Sequence, residues 1–126
     1  MTEISTISLD QRRAAYAWQC VRGRNKDYEN LAKAAPAMLM NNGLMQTLAF
    51  YQDKGKEHHK ALLEHILGWL KQQQIVPSDD YEQAMQALHS MNAADYRHAS
   101  AEALEIVKWL RQLAPTVKHR EENQNA

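Results

Sequence analysis

Cysteine, glycine and proline are all scarce in this sequence of 126 residues, which has one cysteine, four glycines and three prolines. The single thiol, Cys20, excludes an intramolecular disulfide and any zinc site built from several cysteines. We predict that it is a small buried core residue. The chain also has no Gly-rich phosphate loop, no Gly-x-Ser-x-Gly nucleophile elbow and no His-Glu-x-x-His zinc pair. With no catalytic signature in the sequence, we expect a protein that is not an enzyme.

An excess of charge of one sign is also absent, because 15 basic side chains balance 15 acidic ones. Bulk charge thus does not indicate a nucleic-acid partner, although local clusters of basic residues can still bind phosphates. No apolar run approaches the ~20 residues that a membrane helix needs. The N-terminus lacks the basic and apolar segments of a signal peptide. We expect a cytoplasmic protein that does not contact a membrane.

Helix-forming residues, in contrast, fill the sequence, and strand signals are nearly missing. Ser8 and Gln11 have the spacing of a capping box that begins the first helix. The acidic residues after Pro77 favour another helix start, and the last helix is predicted to open near Asn92. These signals predict an all-α fold, a single-domain bundle of about six helices.

Three positions are predicted to interrupt these helices. Pro36 cannot donate the hydrogen bond of a continuing helix, which predicts a kink or a fresh start. Asn42-Gly43 can adopt the positive φ that ends a helix, and Gly55 is predicted to end the next one. The domain is expected to span residues 1–126, with residues 118–126 as a flexible polar tail.

Apolar residues at helical spacing predict the core. On the first helix the predicted core face consists of Ala14, Ala17, Trp18 and Val21. The tryptophans are interpreted as core anchors rather than base-stacking platforms, because indoles on helical stripes are usually buried. These anchors are Trp18, Trp69 and Trp109.

The histidines are the side chains most suited to a metal site. His58, His59 and His65 are close in sequence, but His59 and His65 point to different helix faces, whereas a catalytic zinc site needs three converging ligands. Asp95-x-x-His98 is a single copy of a spacing that paired-metal bundles repeat. Histidines exposed on helices explain the pattern better, and we expect no metal and no other cofactor.

Basic residues form three local clusters, which suit phosphate contacts that do not depend on base identity. The alternative interpretation is a solvated helix face. The candidates in the first two clusters are Arg12, Arg13, Arg22, Arg24, Lys26, Lys54 and Lys56. A third cluster near the C-terminus comprises Lys108, Arg111, Lys118 and Arg120.

Three strings together resemble one known family. They are LDQRRAAYAW at residues 9–18, NGLMQTLAF at residues 42–50, and YRHA at residues 96–99 followed by EAL at 102–104 and WLR at 109–111. Their order and spacing are similar to those of the small helical subunit of the Cmr complex, the type III-B CRISPR RNA-guided effector. The chain departs from that family's pattern in its polar tail and in Met45, where a small residue is frequent.

The resemblance implies a non-catalytic subunit of a ribonucleoprotein. Copies are expected to stack into a minor filament that lines the channel in which target RNA pairs with the crRNA. The expected partners are other Cmr subunits, further copies of this chain, and RNA through its backbone. The seven basic candidates then become predicted RNA contacts, with Arg12, Arg22 and Lys26 on one side of the first helix.

Three alternatives remain open at this stage. One is a related small subunit of a type III-A complex, with the same role and different partners. Another is a free-standing helical adaptor or regulator that binds no nucleic acid. The third is a metal-dependent enzyme without a recognisable motif.

Overall fold

The computed structural model describes residues 6–119. Within this range the chain forms α-helices joined by short connections, with no strand. The elements in order are α1 (Leu9–Val21), α2 (Lys26–Asn42), α3 (Leu44–Lys54), α4 (Glu57–Gln72), α5 (Tyr81–Ser90), α6 (Ala93–Leu113) and a 3-10 turn (Ala114–Thr116). The predicted all-α bundle of about six helices is confirmed. Most of the predicted tail, including Arg120, lies outside the described residues.

Side-chain caps set the starts of the helices. The Ser8 hydroxyl accepts a hydrogen bond from the Gln11 backbone N–H at 3.0 Å, and the Gln11 side chain accepts one from the Ser8 N–H at 2.8 Å. This is the predicted capping box. Asn92 caps α6 and Asp80 caps α5, each through a side chain that accepts a hydrogen bond from the backbone N–H three residues later. The helix predicted after Pro77 therefore begins at Tyr81.

The interruption at Asn42-Gly43 is confirmed, whereas no new helix begins at Pro36. Gly43 has a φ of 86° and donates its N–H to the Leu39 carbonyl at 2.9 Å, and α3 begins at the next residue. α2 runs through Pro36 without ending. The proline removes one backbone hydrogen bond, but Ala35 and Leu39 on either side of it are buried. Tertiary packing therefore holds the helix together across the proline.

α6 is the central element of the core and packs against α1, α2 and α4. Its inward face carries small residues, Ala99 and Ala103, which allow close approach of the neighbouring helices. α4 supplies the largest fully buried side chain, Trp69. Burial of aliphatic and aromatic side chains provides most of the stabilisation, at about 25 cal/mol per Å² of apolar surface removed from water.

The predicted core face of α1 is only partly correct. Ala17 and Val21 are fully buried, and Cys20 is buried as predicted. Trp18, however, is 41% exposed, and Trp109 is half-buried. Of the three predicted tryptophan anchors, only Trp69 lies in the interior. The reason is that α1 turns the side of Ala17, Cys20 and Val21 towards the bundle, which leaves Trp18 at the edge of that face.

Candidate nucleic-acid interface

Three of the predicted RNA contacts are exposed around the end of α1 and the start of α2. Arg12 lies in the first turn of α1, Arg22 is the residue that caps its C-terminus, and Lys26 is the first residue of α2. All three side chains are exposed. Lys26 therefore does not share a face of α1 with the two arginines, because the first helix ends at Val21. With a rise of about 1.5 Å per residue, Arg12 and Arg22 are roughly 15 Å apart along the helix axis.

Arg13, the neighbour of Arg12, is bound by protein groups. Its Nε donates to Glu102 Oε2 at 2.6 Å and its Nη2 to Glu102 Oε1 at 2.8 Å, while Nη1 contacts Asp10 at 3.1 Å. The Arg13 side chain is only 14% exposed. Its guanidinium is thus engaged in a bidentate ion pair between α1 and α6, the strong form of charge-assisted hydrogen bonding.

The partner of Arg13 also binds a tryptophan. The Trp69 indole N–H donates to Glu102 Oε2 at 2.8 Å. The hydrogen bond from Arg13, more than the one from Trp69, holds the pKa of Glu102 below its usual value despite its burial. α1, α4 and α6 are therefore joined through a single carboxylate.

Arg24 is likewise engaged inside the protein. Its Nε donates to the Cys20 carbonyl at 3.1 Å, and its guanidinium lies 5.8 Å from the centre of the Tyr28 ring. His65 contacts both of these residues. Its Nε2 is 3.4 Å from Arg24 Nη2, and its Nδ1 is 2.7 Å from the Tyr28 hydroxyl oxygen. Burial, assisted by the nearby arginine, lowers the pKa of His65 to about 4. His65 is therefore neutral at pH 7.

Lys54 and Lys56 form a second exposed basic cluster, at the turn between α3 and α4. The Lys54 ammonium lies 5.4 Å from the centre of the Phe50 ring, a cation–π contact. The adjacent His59 is buried, and its pKa is lowered mainly by desolvation and also by His58 and the two lysines. The prediction that the histidines are exposed is therefore wrong for His59 and His65, which helix packing covers.

No three His, Cys, Asp or Glu side chains are grouped closely enough to hold a metal ion anywhere in residues 6–119. In the same range, none of the helices combines the length and apolar character that crossing a bilayer requires. Asp95 and His98, the pair tested for a metal-binding spacing, are both exposed on α6.

A surface cleft that the sequence did not indicate lies where α1 meets the C-terminal segment. It has a volume of about 320 Å³. Its lining residues are Trp18, Arg22, Gly23, Thr116, Val117 and Lys118. The two halves of this cleft are almost 100 residues apart in the chain, so no local pattern could have connected them. Trp18 was predicted to be a core residue and was therefore not considered as part of a surface site.

Comparison with known proteins identifies the family of this chain. The family model described as CRISPR-associated protein (Cas_Cmr5) matches residues 9–117, which include all six helices. A protein of Thermotoga maritima named CRISPR system Cmr subunit Cmr5 is 26% identical over 128 residues, covering 97% of this chain and 92% of the relative. The subunit of the same name from Thermus thermophilus is 29% identical over 91 residues, covering 70% of this chain and 72% of the relative.

A solved structure has the same fold. The X-ray crystal structure of a CRISPR-associated Cmr5 family protein from Thermus thermophilus matches with a TM-score of 0.74 and 25% sequence identity. The match covers 86% of this chain and 96% of the crystallised one. The sequence match from the first helix to the 3-10 turn and the shared helical fold lead to the same conclusion: this chain belongs to the CRISPR-associated Cas_Cmr5 family.

Proposed function

We propose that this chain is a non-catalytic structural subunit of a type III-B CRISPR effector, the Cmr complex, in the cytoplasm. Copies of it stack into a minor filament beside the other Cmr subunits. The filament lines the channel in which target RNA pairs with the crRNA. The observation that carries this proposal is the family match across the whole helical bundle, together with relatives that are named as Cmr subunits.

The RNA contacts in this proposal are phosphate contacts by Arg12, Arg22 and Lys26. The guanidinium groups of Arg12 and Arg22 are exposed, whereas those of Arg13 and Arg24 are bound within the protein. Lys26 is exposed too, although its ammonium also lies 3.5 Å from a carboxylate oxygen of the buried Glu29. Arg12 and Arg22 are too far apart to bind the same phosphate, so they suit an extended backbone. In RNA-guided effectors base pairing reads the sequence and protein contacts the backbone and its shape, which makes sequence-independent cations the appropriate chemistry. Lys54 and Lys56 remain predicted contacts of the same kind.

The stacking contact in this proposal uses the surface beside the α2–α3 break. A filament of identical subunits requires two different surfaces that meet head to tail. An apolar groove of about 240 Å³ lies where α2 ends and α3 begins, beside α6. Its lining residues are Leu39, Met40, Gly43, Leu44, Ser100, Ala101 and Leu104. Met40 lies at this edge and is 68% exposed, so its apolar side chain is available for a contact with a neighbouring copy.

The assembly part of the proposal is tested by affinity purification from the native host, with sequencing of the bound RNA. We expect crRNA and several larger Cmr subunits to co-purify. A type III-A partner set would assign the chain to the related complex. Recovery of the chain without RNA or large subunits would favour a free-standing adaptor and contradict the proposal.

The RNA part is tested by replacing Arg12, Arg22 and Lys26 together with Glu. None of the three belongs to the core, so the fold should persist, and the reconstituted complex should bind target RNA more weakly for every guide sequence. Each lost phosphate contact should reduce the slope of log K against log salt by about 0.7. A control reverses two exposed charges outside the three basic clusters, at Lys71 and Arg97. Normal assembly with full target affinity across a salt series would show that the first three residues do not face RNA.

A further inference from the structure

The three indoles of this protein have different environments. Trp69 is buried and donates its N–H to Glu102, and Trp109 donates its N–H to Asp10 at 2.9 Å. Trp18 is 41% exposed. No hydrogen bond, ring contact or cation–π contact joins Trp18 to any residue from 6 to 119. Because buried or structural indoles usually satisfy their N–H, the free and exposed indole of Trp18 is not explained by the stability of the fold.

Trp18 forms one wall of the cleft between α1 and the C-terminal segment. Arg22 follows it by one helical turn and lies on the same side of α1, and Lys118 reaches the cleft from the C-terminal segment. Gly23 lies between them, and the space where its side chain would project is open. At about 320 Å³ the cleft has the size of a small-ligand site.

The charges around this cleft favour an anionic occupant. Both ionisable residues that line it are cations, Arg22 and Lys118, and no carboxylate is among the lining residues. An exposed aromatic ring that shares a cleft with cations is an arrangement by which proteins bind single-stranded nucleic acid, since the ring stacks on a base and the cations contact the backbone. A purely apolar protein surface would not require two cations in the lining of the cleft.

Phe50 gives the contrasting case within the same molecule. Its exposed fraction, 40%, is nearly that of Trp18. The Lys54 ammonium, however, lies over the Phe50 ring, and the ring centres of Tyr51 and His59 are 6.0 and 6.3 Å from the centre of the Phe50 ring. Phe50 is therefore an exposed aromatic residue whose contacts are already made within the protein.

We propose that Trp18 is a stacking platform for one unpaired nucleobase of single-stranded RNA, with Arg22 and Lys118 contacting the phosphates on either side. This inference rests on the proposed RNA-binding function and adds a base contact to it. Stacking does not depend on base identity, so the site would hold a nucleotide without reading the sequence. It requires an unpaired base and therefore distinguishes single strands from duplexes, which backbone contacts alone do not.

The test uses the full chain, a fluorescein-labelled 12-nucleotide oligo(U), and an RNA duplex of the same length, at low salt. Trp18→Leu removes the ring, Trp18→Phe keeps a smaller one, and Phe50→Leu is the matched control at equal exposure. We expect Trp18→Leu to weaken oligo(U) binding by roughly 5- to 150-fold, with a smaller loss for Trp18→Phe and less than twofold for Phe50→Leu. Duplex binding should be unchanged. Oligo(U) should quench tryptophan emission of the wild-type chain but not of Trp18→Leu.

Four outcomes would overturn the stacking site. Two of them are wild-type affinity of Trp18→Leu for oligo(U) and no binding of oligo(U) by the wild-type chain. The third is an equal loss of affinity for single strand and duplex. The fourth is a loss of self-association in sedimentation without any loss of RNA binding, which would make the cleft a protein contact. Failure of the proposed function is separately visible, because it appears as full target affinity of the complex that carries the substitutions Arg12→Glu, Arg22→Glu and Lys26→Glu.

Discussion

Arg13 and Glu102 face each other across the interface of α1 and α6 in a bidentate pair, with N–O distances of 2.6 and 2.8 Å. Glu102 Oε2 also accepts the indole N–H of Trp69 on α4. Both charged side chains are largely excluded from water, with 14% and 6% of their surfaces exposed. Glu102, Arg13 and Trp69 therefore fix the orientation of three helices relative to one another. Each of the two buried charges depends on the other to compensate the hydration that it has lost.

Replacing Arg13 with Ala should lower the free energy of unfolding by about 3 kcal/mol, because the change leaves the Glu102 carboxylate buried without its cation. Arg12→Ala is the matched control, since Arg12 is the neighbouring arginine and is exposed. It should change stability by less than about 0.5 kcal/mol. Urea unfolding followed by circular dichroism measures both values. Similar losses for the two variants would contradict the role of the pair.

Gly68 and Tyr16 form a second tight contact. A Cβ added at Gly68 would lie 2.7 Å from the Tyr16 hydroxyl oxygen, which is held by a 2.6 Å hydrogen bond to the His65 carbonyl. Gly68→Ala should therefore destabilise the protein by about 1–3 kcal/mol, although alanine is the better helix former. In a Tyr16→Phe background the clash is absent, and the same change should be neutral or stabilising by up to about 1 kcal/mol. A double-mutant cycle by chemical unfolding measures the coupling. An equal effect of Gly68→Ala in both backgrounds would contradict it.

The half-buried His65 should make stability depend on pH. Its pKa is about 4 in the folded protein, below the usual 6.5. Between these values the unfolded chain binds a proton that the folded chain does not, so stability falls as pH decreases from 6.5 towards 4, by up to roughly 3 kcal/mol. His65→Gln should flatten this part of the profile, measured by urea unfolding at a series of pH values. The exposed His89→Gln variant is the control and should keep the wild-type profile. An unchanged slope in His65→Gln would show that another group is responsible.

The isolated chain should be a monomer or associate weakly at micromolar concentration, because one head-to-tail contact buries little surface before it is repeated in a filament. Met40→Asp places a charge at the exposed edge of the α2–α3 groove. It should abolish any weak association and reduce incorporation into the reconstituted complex. Gln86→Asp, which adds the same charge at an exposed position of α5, should have no effect. Light scattering and co-purification measure these outcomes, and a tight closed dimer would count against a stacking subunit.

The ends of the helices could be predicted from the sequence because the interactions that set them are local. The caps at Ser8 and Asn92 join residues three positions apart. Gly43 ends a helix through its own backbone conformation. The family resemblance was also predictable, since it depends on strings of adjacent residues, and the match over residues 9–117 confirms it. The continuation of α2 through Pro36 could not be predicted from the sequence, because the packing that stabilises it comes from other helices.

The environment of each functional side chain was decided only by the tertiary structure. Arg12 and Arg13 are neighbours of the same residue type, yet one is exposed and the other is paired with Glu102, 89 positions away. Trp18 and Trp69 both lie on helices with apolar stripes, but only Trp69 has a distant carboxylate to accept its N–H. Composition and periodicity determined that this chain is a bundle of helices with basic clusters. The approach of distant segments determined which charges and rings remain available for a partner, because hydrogen bonds and burial depend on distance in space.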